Sequence, residues 1–123
     1  MSVLDYDLCR DTVTVYRLQE DGVHRQVLED CLLTWEEQTV TDVYGTRKGT
    51  EFLLIHPGKT QVVFPGDRVF AGIGPQVEKE DWGSFIPAAI SGLGQVSFVR
   101  LYRWDGELQH IEAGSRQPVR PQL

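Results

Sequence analysis

The chain has 123 residues, 41% of them hydrophobic, and its 12 basic and 18 acidic side chains leave a net charge of −6. That length fits one domain with one modest core. The acidic balance excludes a surface that grips nucleic-acid phosphate everywhere, though not a wall that encloses DNA without gripping it. At the N-terminus, Asp5 and Asp7 stand where a secretory leader would be basic, so synthesis in the cytoplasm is expected. Cys9 and Cys31 read as two reduced, partly buried thiols rather than as a disulfide.

Residues 12–18 (TVTVYRL) alternate and are rich in β-branched side chains, which predicts a strand. Glu20, Asp21 and Gly22 form a turn, and residues 23–28 return as the second arm of a hairpin. Cys31, Leu33 and Trp35 fall on one face of the next strand, which is expected to continue through residues 39–44. Residues 45–49 (GTRKG) read as a glycine-bracketed loop tip carrying Arg47 and Lys48. Residues 51–56 (EFLLIH) are apolar on both faces and predict a central strand. Pro57 and Gly58 turn the chain; residues 61–64 are expected as a short strand stopped by Pro65, and residues 67–71 as the next one. Residues 76–81 fit either strand or loop. The segment 82–95 (WGSFIPAAISGLGQ) predicts a loop with at most one short helix, because Pro87, Gly92 and Gly94 interrupt anything longer. Its longest apolar run, residues 85–93, is too short to span a bilayer. Residues 96–104, Asp105-Gly106 and residues 107–112 give the clearest hairpin of the chain. These strands predict an all-β fold, a small antiparallel barrel or sandwich with extended loops, over residues 1–114. A proline- and arginine-containing tail follows at 115–123.

Fragments that imitate chemical sites fail on their context. Gly58-Lys59-Thr60 lacks the glycine five positions earlier, where Leu53 stands, and no helix start follows it. His110-Ile111-Glu112 has the spacing of a zinc deaminase motif but no paired cysteines after it. Gly72-Ile73-Gly74 runs into Pro75 instead of a helix. The carboxylates Glu36, Glu37, Glu78, Glu80 and Asp81 read as a solvated face, and no activated nucleophile is apparent. The expectation is therefore no catalytic residue, no metal and no cofactor. Two interaction candidates remain. Arg47 and Lys48 could meet DNA phosphate or an acidic neighbour, or simply face solvent. Phe98, Tyr102 and Trp104 lie on one strand face, as core or as a subunit interface.

The blocks DTVTVYR, LLTWEE, FLLIHPG, FPGDRVFAGIGP, WGSFIPAAISGLGQVSFV and YRWDGELQHIEAG span most of residues 11–114. Together they resemble a family of short proteins encoded in the head–tail gene block of tailed phages and prophages, mostly of Gram-positive bacteria. The resemblance implies a head-closure (stopper) or related head–tail connector. Such a protein is a small β-barrel that forms a homo-oligomeric ring, hexamer or dodecamer, in the neck of the virion. The ring continues the channel for the packaged double-stranded DNA between portal or adaptor and the tail-terminator or tail-tube proteins. By position, the 45–49 loop matches the loop that projects toward the channel in head-closure proteins, which assigns Arg47 and Lys48 to DNA. Trp82, Phe85, Ile86, Tyr102, Trp104, Arg116 and Arg120 are the candidates for the subunit interface. The alternatives are a tail-terminator or minor capsid component, or a monomeric β-barrel binding module.

Overall fold

The computed structural model describes residues 6–115, and for residues 37, 38, 40, 42 and 47–50 it describes the backbone without the side chains. Its strands are β1 (Asp11–Gln19), β2 (Gly22–Asp42), β3 (Gly45–Pro57), β4 (Arg68–Ala71), β5 (Leu93–Gln95), β6 (Phe98–Trp104) and β7 (Glu107–Gly114). They form one antiparallel sheet in the order β5-β4-β1-β2-β3-β7-β6. Helical structure among the described residues is confined to two short 3-10 turns, Tyr6–Leu8 and Lys79–Ser84. The all-β expectation holds.

The sheet curls because β2 serves two neighbours in succession. Its first half pairs with β1 as far as Asp11 opposite Cys31, and its second half pairs with β3 from Leu32 opposite Ile55. Just before the change of partner, between Leu28 and Cys31, the register shifts by one residue at a bulge, where Asp30 takes a φ of 57°. Aspartate tolerates this left-handed conformation better than most residues, and a bulge sharpens the local twist. The far edges of the sheet then meet at one corner. Val96 donates its amide to the Asp67 carbonyl (2.8 Å), and Ser97 donates to Gly114 (2.7 Å). The result is a half-barrel, gathered at the β5–β6 joint and open elsewhere.

Inside the curl lies the main core, with Val13, Val15, Leu28, Cys31, Leu54, Val69 and Ile111 among its buried members. Leu33 and Trp35 pack against it on the face that their spacing with Cys31 predicted. A second cluster, Tyr16, Val77, Phe85 and Leu93, sits where the 75–92 segment folds back over β1 and β4. β1 is consequently buried on both faces through Val13–Tyr16. Its polar side chains fix the loop that follows β4. Thr14 Oγ1 donates to the Gly72 carbonyl and accepts from the Gly74 amide, both at 2.8 Å. Tyr16 Oη donates to the Pro75 carbonyl at 2.7 Å, and Arg25 Nη2 donates to the Gly74 carbonyl at 2.6 Å.

Three sequence expectations need correction. Leu93–Gln95, expected within a loop, is strand β5 and pairs with β4. Residues 61–64 are not a strand. Proline at 65 removes a ladder donor, and the segment is pegged by side chains instead. Asp67 accepts the Phe64 amide (2.9 Å), while Arg17 reaches the Val62 carbonyl (3.5 Å). Residues 45–49 are likewise not a loop tip. The turn is Val43-Tyr44, and Gly45 opens β3, so Arg47 and Lys48 are strand positions opposite Val40 and Thr39. Asp42 and Gly45 occupy the first and fourth places of the four-residue turn, the positions those residue types favour. The expected hairpin at Asp105-Gly106 is present, with φ values of 53° and 81° at its two central residues. Positive φ at both is what a two-residue loop needs to match the strand twist.

Candidate functional site

Besides the three-residue terminal strand β5, the half-barrel leaves two longer elements with an edge that no strand covers among the described residues. One is the distal part of the β2–β3 hairpin. β3 pairs with β7 only over Leu53–Pro57, and β2 leaves β1 at Cys31. From Glu36 opposite Glu51 to Asp42 opposite Gly45, the two arms pair only with each other among the described residues. Those seven rungs make a two-stranded ribbon roughly 24 Å long. Its tip exposes two large side chains: Val43 is 91% and Tyr44 90% exposed. The other element is β6, the terminal strand of the sheet order, whose outer edge meets no other strand among the described residues. Leu101, Tyr102 and Trp104 are exposed on it.

The interface candidates separate in the structure. Tyr102 and Trp104 are surface side chains, although Tyr102 is also stacked on His110 with ring centroids 4.6 Å apart. Phe85 is buried, edge-on to Tyr16 at 4.7 Å, so it belongs to the chain's own core and not to a free surface. Trp82 is half-buried because Arg68 lies over its ring at 3.8 Å. The same guanidinium donates to the carbonyls of Trp82 and Phe85, each at 2.6 Å, which straps this segment to β4. Ile86 is half-buried at the turn that follows. The side chains of Arg47 and Lys48, and all of Arg116 and Arg120, lie outside the described residues. Sequence reasoning missed Val43, Tyr44 and Leu101. The signal for the first two was present in the Asp42-x-x-Gly45 spacing, which moves the tip away from Arg47.

Several groups capable of chemistry are engaged by neighbours within the fold. Cys31 Sγ lies 3.5 Å from His56 Nδ1. Burial pushes the Cys31 thiol up to about 12 and moves His56 below its ordinary value. Both are therefore neutral near pH 7, the opposite of an activated thiolate–imidazolium pair. An open groove of about 320 Å³ is lined by Arg17, His24, Arg25, Gln61 and Phe64, among others. Arg17 is held there by a two-point ion pair with the buried Asp67, both contacts 2.9 Å, and His24 contacts Asp21 at 2.7 Å. His110 is buried against Tyr6, whose Oη lies 2.6 Å from Nδ1, and its other nitrogen is 3.8 Å from Glu112. No cluster of three or more potential metal ligands occurs among the described residues. The arrangement can present strand edges and aromatic side chains; among the described residues no acid, base and nucleophile are assembled together.

Comparison with family models, with curated proteins and with solved structures returns no match for this chain.

Proposed function

We propose that the chain is a structural subunit of a phage neck, a head–tail connector that forms a ring around the DNA channel and closes the filled head. The observation that carries this reading is the ribbon of residues 36–51. A two-stranded hairpin is marginal in water unless something packs on it, and this one extends beyond the sheet with an exposed tip. It has the form of an arm that is completed by a neighbour or reaches into a lumen. The net charge of −6 supports the same role, because an acidic ring keeps DNA from adhering to its wall while a few basic positions hold it transiently. Arg47 and Lys48 supply such positions on the β3 arm.

The test is a double charge reversal, Arg47→Glu with Lys48→Glu, in a phage that carries the protein. The expected outcome is a soluble, folded variant, normally packaged heads and loss of DNA from them before tail joining. Heads that retain their genome as firmly as wild type would remove these residues from the channel.

A further inference from the structure

Two of the uncovered strand edges are complementary in charge and equal in length. β6 has seven residues, FVRLYRW, with Arg100 and Arg103 and no acidic side chain. The ribbon portion of β2 also has seven, EEQTVTD, with Glu36, Glu37 and Asp42 and no basic side chain. We infer that β6 of one copy adds to β2 of a second copy along the outer edge of residues 36–42, which pairs with no strand on that side among the described residues, continuing the sheet from subunit to subunit. This rests on the ring reading and names the contact that would build the ring.

Three features favour that pairing. Exposed strand edges present unpaired amides and carbonyls and tend to recruit another strand, and proteins that keep their edges free blunt them with bulges or inward charges. The bulge next to β6 falls on β7, where Tyr102 faces His110 and Arg103 faces Leu108, so Gln109 is the extra residue and the outer edge of β6 stays regular. Leu101, Tyr102 and Trp104 add apolar surface on both sides of that edge. The alternative acceptor, the free edge of β3 over residues 45–51, carries Arg47, Lys48 and Glu51 and would set like charge against β6. Donor and acceptor are different strands, so a copy that uses its two edges on two different neighbours makes a head-to-tail contact, the type that generates a ring where the rotation closes.

A charge-swap mixing experiment tests the contact. One chain carries Arg100→Glu and Arg103→Glu; the other carries Glu36→Lys and Glu37→Lys. Each variant alone sets like charges against each other at every contact, so the concentration needed for half-assembly, read by native mass spectrometry and sedimentation, is expected to rise at least tenfold. Mixed in equal amounts, they present opposite charges at both kinds of contact and should assemble close to wild type, which also shows that each is folded. As a second measurement, Leu101→Cys and Thr39→Cys chains are mixed with a mild oxidant and are expected to form a disulfide between copies, the oxidant taking the two thiol hydrogens. Wild type that assembles while both reversals assemble equally well, or reversals that fail to recover on mixing together with absent cross-linking, would overturn the edge pairing but not the ring. Wild type that never assembles, up to its solubility limit, would overturn both.

Discussion

At the scale of single residues, close approach and burial determine what this chain tolerates. Gly94 on β5 lies under the ring of Phe52, and a Cβ there would come within 2.5 Å of two ring carbons. Gly94→Ala should therefore cost about 1–3 kcal/mol through forced repacking, measured as a lower urea midpoint with unchanged slope. His56 gives a pH signature whose sign is fixed by its burial. Its folded value lies below the ordinary 6.5, so the unfolded chain takes up the proton first as pH falls. The stability it contributes is complete above about pH 6.5 and declines on acidification toward the folded value. Wild type should lose more stability than His56→Gln between about pH 7.5 and 5 in paired urea titrations; equal losses would show that His56 is not the group responsible.

At the scale of elements, the strands most plainly written in the sequence are those with local signals. The alternation of residues 12–18 and the Asp105-Gly106 dipeptide both appear where expected, as β1 and the β6–β7 turn. Residues 61–64 misled because their apolar content reflects a buried peg, Val63, held by side-chain bonds to a loop. Arg47 and Lys48 were misplaced because two glycines looked like loop brackets, whereas the turn is set by Asp42 and Gly45. The bend of β2 at Asp30 was not legible, since it arises from a change of partner that no single segment encodes. Nor was the commitment of Phe85 to the core: an apolar residue in an irregular segment carries no period to reveal its neighbours, and Arg68 across the chain decides its place. The ribbon makes an element-scale prediction. Replacing residues 37–50 by a two-residue Asn-Gly turn should leave the half-barrel folded, because the described members of both cores lie outside that stretch. Circular dichroism should show a cooperative transition close to wild type while assembly is lost; a shortened chain that assembles normally would separate the ribbon from any docking role.

At the scale of the whole molecule, the half-barrel combines a closed corner at Val96-Ser97 with an acidic ribbon strand, β2, and a basic edge strand, β6, separated from it in the sheet by β3 and β7. Its cores anchor the segments that support these surfaces, with Thr14, Tyr16 and Arg25 pinning the loop after β4 and Arg68 strapping the 3-10 turn. On the proposed reading, its edges and arms are the surfaces by which one copy docks on the next. The most direct measurement is an electron-microscopic reconstruction of the neck of particles that carry this protein. The account predicts a ring of copies on the tail axis, between portal and tail, with the 36–51 ribbons ordered against neighbours or the lumen. Particles from which the chain is absent, or which hold it as isolated copies away from the axis, would contradict it.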